Sequence, residues 1–282
     1  MCQKACAPVT ICIDATNPSG VLENQNKTNK LNELLNHLEE LKNNFLFDIN
    51  ISNPTSKEVQ NLSKLYFGSS YYETNCFRGY PIFGSFKQFY QTKSKYILHL
   101  DCDMIFYEQK DYSWINAAIN LMNENEDILC VLPRGGPPHT DRKLHQGTTK
   151  YNIDDQRRVF LFKNFTSRHY LIHRERFLSL LPVKPLWLSW REPFYSKFSN
   201  NGKMLCWESI IEFAMKKSDF WRADLMTDKA WSVHPGDRDT KFLSLLPNIM
   251  SSVEKGTYPN GQKGNFDIIT DDWKSFLNGV EY

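Results

Sequence analysis

The first 133 residues alternate short apolar runs with stretches of helical period, and few architectures accommodate that alternation. VTICID (residues 9–14) ends at the turn cluster TNPSG (residues 16–20). Leu31, Leu34, Leu35, Leu38 and Leu41 then recur at spacings of three and four, which predicts a helix with one apolar face. NFLFDINIS (44–52) alternates like a strand, residues 56–65 return to the helical period, and YILHLD (96–101) is a third strand. Asp111 is placed to cap a helix in which Trp114, Ile115, Ala118, Ile119 and Met122 share a face, and DILCVLP (127–133) is a fourth strand. This order implies an α/β sheet of parallel strands with helices against it, and ligands at the carboxyl ends of strands. Asp14, Asn53 and residues 101–103 fall at such ends.

The second half is less regular. Residues 134–158 are polar and rich in Gly, Pro, His and Asp, which reads as a long loop of the kind that carries function. VFLF (159–162) and RHYLIHR (168–174) are strand-like, and a short helix runs to Leu181. Residues 182–201 are irregular and aromatic, with LWLSWREPFY (186–195) suited either to stacking on a sugar face or to packing under a loop. A helix begins near Trp207 with Ile210, Ile211 and Ala214 on one side, and one strand region spans 220–233. Periodicity weakens past Pro235. The expected division is one domain over 1–245, in two halves (1–103 and 104–245), followed by an irregular tail (246–282).

A net charge of +2 gives no field for bulk nucleic-acid binding, so no nucleic-acid partner is expected. The seven cysteines form no CxxC pair and fit a reducing, cytoplasmic setting better than a disulfide scaffold. No segment approaches the ~18 continuous apolar residues of a membrane span, so any membrane contact would be peripheral.

The sharpest chemical feature is KYILHLDCDMIF. Asp101 and Asp103 bracket one residue at the end of an apolar strand. In extended backbone, residues i and i+2 face the same side, so both carboxylates are expected to meet one divalent cation, Mn²⁺ or Mg²⁺. Asp237 and Asp239 have the same spacing, but no strand leads into them. Glu208, at the start of a helix, is placed to act as a general base, and His234 closes the last strand region where it can bind metal or phosphate.

Taken in order, these segments resemble the family-two-like inverting glycosyltransferases of the GT-A fold, a Rossmann-like mixed sheet flanked by helices. YILHLDCDM (96–104) is similar to that family's DxD strand. YLIHRERF (170–177) is similar to its strand leading into a helix with a basic start, WES (207–209) to its acidic helix opening, and His234 to its closing histidine. Ser209 stands where the family often has a second acid, and INISNPTS replaces the usual acidic end of the second strand.

The resemblance implies a metal-dependent transfer of sugar from a nucleotide-diphosphate donor, UDP favoured, to a carbohydrate, lipid-linked or other hydroxyl acceptor. Asp101, Asp103 and His234 would hold the metal, and Asp14 and Asn53 would lie near base and ribose. Glu208, or Glu212 one turn later, would deprotonate the acceptor, and Arg238 and Lys241 would add charge at the diphosphate. A retaining transferase, a nucleotidyltransferase and a non-catalytic nucleotide-sugar binder are the alternatives.

Overall fold

The computed structural model describes residues 9–15, 31–145, 150–199, 202–236 and 238–279. The turn expected over 16–20 and the aspartate at 237 lie outside them. Along the chain run β1 (Thr10–Asp14), α1 (Leu31–Lys42), β2 (Asp48–Ser52), α2 (Ser56–Phe67), α3 (Phe83–Gln91), β3 (Tyr96–Leu100), β4 (Ile105–Glu108), α4 (Trp114–Glu124), β5 (Ile128–Leu132) and β6 (Arg134–Gly135). Then come β7 (Asn152–Asp154), β8 (Val159–Phe162), β9 (His169–His173), α5 (Arg174–Ser179), α6 (Glu192–Ser199), α7 (Trp207–Lys216), β10 (Trp221–Leu225) and β11 (Ala230–Pro235). The described chain closes with α8 (Thr240–Glu254), β12 (Asp267–Ile268) and α9 (Thr270–Leu277). The chain is mixed α/β, and it groups into two compact units, one of residues 1–94 and 178–214, the other of 95–177 and 215–282.

In the first unit β1 and β2 pair in parallel, Thr10 opposite Asp48 through Asp14 opposite Ser52. α2 starts at a reciprocal cap, in which the Thr55 side chain accepts from the Glu58 amide and Glu58 accepts from the Thr55 amide. It stops at Gly68, whose φ of 69° is the left-handed conformation a helix end favours in glycine. Its buried face meets α3, with Tyr66 and Phe86 stacked at 4.0 Å, and Trp207 packs edge-on against Phe86. The strand expected from residue 44 begins only at Asp48, because the Phe45 amide still donates to Leu41 of α1 and Leu46 lies almost wholly in solvent.

The second unit holds a six-stranded sheet in the order β3-β9-β5-β10-β8-β7. β10 runs parallel to β5, whereas β9 is antiparallel to both β3 and β5, and β8 is antiparallel to β10. The sheet is therefore mixed, not all parallel. β5, β8 and β9 are buried at every position, as strands covered on both faces must be. α4 packs against β5 and is capped by Ser113 instead of Asp111, because the Ser113 hydroxyl accepts from the Asn116 amide. Arg176 of α5 donates to the carbonyls of Met122, Asn125 and Ile128, tying that helix to the end of α4.

A smaller sheet, β12-β11-β4 with β6 beside β11, completes this unit. The single strand expected over 220–233 is thus two strands serving different sheets, β10 and β11. The stretch 134–158, expected to be loop, contributes β6 and β7, and the irregular 182–201 contains α6. The segment past residue 245 is not an irregular tail, and a boundary there would cut α8. Phe242, Ile249, Val253, Ile268 and Trp273 bury themselves with Trp231 and Val233 in one apolar cluster. Trp273 donates through Nε1 to Gln262, which in turn donates to the carbonyls of Asn265 and Asp267.

Candidate functional site

Strand register assembles the site in the second unit. β4 and β11 are antiparallel and their last pair is Ile105 with Val233, so Asp103 and His234 emerge side by side just beyond it. β12 runs parallel on the other side of β11 and sets Asp267 opposite His234. His234 is buried, its Nε2 lies 3.6 Å from Asp103 Oδ2, and its Nδ1 lies 3.4 Å from Asp267 Oδ1. Arg238 donates to Asp103 Oδ2 and Arg168 donates to His234 Nε2. These partners assign the tautomer: Nδ1 carries the proton toward Asp267, and the Nε2 lone pair faces Asp103 and the two guanidiniums. Oδ1 of Asp103 is buried without a hydrogen-bond partner among the described residues.

Electrostatics keep the acids ionised. Desolvation pushes the Asp103 pKa up, but the hydrogen bond and charge of Arg238 outweigh it and leave the carboxyl below its ordinary value. The His234 hydrogen bond likewise lowers Asp267 against the desolvation it suffers. Phe266 stacks nearly parallel to both His234 and His169, with ring centroids 5.8 and 5.6 Å away. His169 is buried and its Nε2 is 3.0 Å from the Ser232 hydroxyl. Burial, then the charge of Arg222, drives its pKa down to about 3.

The expectation that extended backbone aims Asp101 and Asp103 at one point is corrected. Residues 101–104 form a turn between β3 and β4, with the Met104 amide donating to the Asp101 carbonyl at 3.3 Å. Asp101 Oδ1 lies instead 3.0 Å from His99 Nε2. Lys241 is also corrected: it donates to Asp271, which raises its pKa, so its charge serves an exposed ion pair and not the Asp103 cluster.

Asp14, Asn53 and Glu208 belong to the first unit. The Asp14 carboxylate rests over the first turn of α3, where a Cβ on Gly84 would come within 2.1 Å of Oδ2, so the glycine admits the acid to a helix N-terminus. Asn53 follows β2 and is exposed. Glu208 is half-buried in the first turn of α7, and Glu212 one turn on is half-buried too. Trp187 packs edge-on against Tyr71, whereas Trp190 is 74% exposed, so the aromatic segment divides between packing and display.

Arg168, His169, Phe266 and Asp267 were not legible as site residues. Phe266 and Asp267 sit where hydrophobic periodicity had faded, and Arg168 looks in sequence like the start of an ordinary strand. Their only signal is adjacency to β9 and β12, which appears once strand pairing is known. Compared with protein-family models, curated proteins and solved structures, the chain matches none of them.

Proposed function

We propose that the chain is a glycosyltransferase that moves a sugar from a nucleotide-diphosphate donor, UDP-linked by preference, to a hydroxyl acceptor, with inversion and with a divalent cation. The observation that carries this reading is that Asp103 of the DxD segment, His234 and Arg238 converge, although Asp103 and Arg238 stand 135 positions apart. The donor set suits a cation. Asp103 offers one buried oxygen with no partner among the described residues, and His234 presents a lone pair while its other nitrogen is oriented by a carboxylate, the arrangement common among metal-ligating histidines. Mn²⁺ or Mg²⁺ held there would neutralise charge on a leaving diphosphate.

Arg238 and Arg168 add permanent positive charge at the same point, and over half of the Arg238 side chain is exposed. Diphosphate oxygens can replace Asp103 and His234 as their acceptors. Glu208, in the first turn of α7 in the first unit, is the residue assigned for test as the base that takes the acceptor proton. A second reading, a binder without transfer activity, is favoured by the two guanidiniums that cover Asp103 and His234 in this structure.

One experiment separates these. Thermal unfolding is followed with a panel of nucleotide sugars, with and without Mn²⁺, beside a donor-hydrolysis assay. The expected result is cation-dependent stabilisation by one donor together with hydrolysis, both lost in Asp103→Ala. Glu208→Gln should keep the stabilisation and lose roughly 10²–10⁴-fold in rate. Stabilisation without hydrolysis in the wild type selects the binder, and no stabilisation by any donor removes the nucleotide-sugar reading.

A further inference from the structure

We propose that His139, Asp141 and His145 form a separate binding site for a divalent transition-metal cation, with zinc as the fitting occupant. Nothing in the proposed sugar transfer uses these residues. Their ligand atoms lie within 4.8 Å of one another: His139 Nδ1 is 2.7 Å from Asp141 Oδ1, and His145 Nε2 is 2.9 Å from Asp141 Oδ2. The two imidazole rings lie 4.2 Å apart between centroids, tilted by 52°. Two imidazoles and one carboxylate are the donors that borderline cations prefer, and three protein ligands leave a fourth tetrahedral position to water or an anion. Bonds of ~2.0–2.1 Å to a tetrahedral ion set ligand atoms roughly 3.3 Å apart. The three side chains are each about one-third exposed, so they can open by that small amount without disturbing the core.

The backbone beneath them is already fixed. The Lys143 amide donates to Asp141 Oδ1, the Arg142 amide to the His139 carbonyl, and the His145 amide to Gly264, whose own amide donates to Pro137. The buried Arg134 donates to the Lys143 carbonyl, and Leu144 is buried against Phe160 and Phe162. Gly264 has a φ of +74°, and a Cβ there would come within 2.5 Å of the His145 ring, so a glycine makes the space the imidazole occupies. The Lys143 amide first, then His139 and His145, hold the Asp141 carboxyl well below its ordinary range. The Asp141 amide also donates to His139 Nδ1 at 3.2 Å, and a cation bound there would take the place of these hydrogen bonds.

The site has a mechanical consequence. Gly264 leads into Phe266, whose carbonyl accepts from the His234 amide at 3.0 Å, and into Asp267. A cation at His145 therefore pins the segment that backs His234.

The test uses tag-free full chain, stripped with a chelator and titrated with Co²⁺ by visible absorption and with Zn²⁺ against a chromophoric indicator. With no nucleotide diphosphate present to complete the Asp103 site, one equivalent should bind, and zinc should raise the unfolding temperature. His139→Asn and His145→Asn should each weaken binding by about tenfold or more, while Asp103→Asn should leave it unchanged. Because any variant can alter folding, the wild type is also followed by imidazole ¹⁵N NMR, where two histidines, and not His234, should shift with zinc. The proposal is overturned if no site tighter than roughly 100 µM is found. It is equally overturned if the double variant His139→Asn/His145→Asn binds like the wild type, or if the shifted histidine is His234.

Discussion

His234 shows how much of this site rests on single side chains. Its ring is oriented by Asp267, faced by Phe266 and presented to Asp103, and these contacts come from two distant stretches of the chain. Behind Phe266, His169 is the residue whose protonation the fold opposes most directly. A histidine whose pKa falls on folding contributes stability that is complete above its unfolded value, 6.5, and is lost as pH falls toward its folded value near 3. The denaturation midpoint in urea should therefore drop as pH is lowered through that window. His169→Gln should be less stable at pH 7 and show a visibly flatter profile; an unchanged slope would mean His169 does not set it. At this scale the sequence pointed to residues that lie together, but not to how the backbone holds them. Asp103, His234 and Arg238 were all named from it, yet the i, i+2 argument failed for Asp101 because a turn, not a strand, holds the pair.

Among the elements, the small sheet carries the most weight. β11 is the shared neighbour of β4, β6 and β12, so it fixes both partners of His234 by register. α8 and α9 brace it through Trp273, which is fully buried and hydrogen-bonded to Gln262. Trp273→Ala should cost about 3–5 kcal/mol in an equilibrium unfolding experiment, and it should also weaken nucleotide binding by loosening β12. A loss below about 1 kcal/mol would show that the helix is dispensable. Helices with strong period, such as α1, α2 and α4, were readable in advance. β12 was not, because two residues are too few to show alternation, and α9 packs through so few apolar side chains that no stripe stands out.

For the molecule as a whole, sequence legibility ended at pairing order. The alternation of strand and helix gave the α/β class, but antiparallel β9 between β3 and β5 arises from a chain reversal that hydrophobic pattern does not encode. The division into two compact units is also invisible in composition, since each unit draws on two separated segments. Residues 95–177 alone lack β10 and β11, the neighbours of β5, β8 and β4. That fragment should show no cooperative unfolding transition by circular dichroism, whereas residues 95–282 retain every strand of both sheets. A sharp transition in the shorter fragment would contradict the division.

The interleaving also bears on biosynthesis. A ribosome delivers the chain from its N-terminus, yet the first unit lacks part of its substance until residue 214 has been made, and the second until β11 and the helices after it follow. Asp103 is thus synthesised long before Asp267, and the nascent chain must hold unpaired edges on β4 and β5 in the interval. Those edges make the growing polypeptide, more than the finished protein, the form that chaperones have reason to meet.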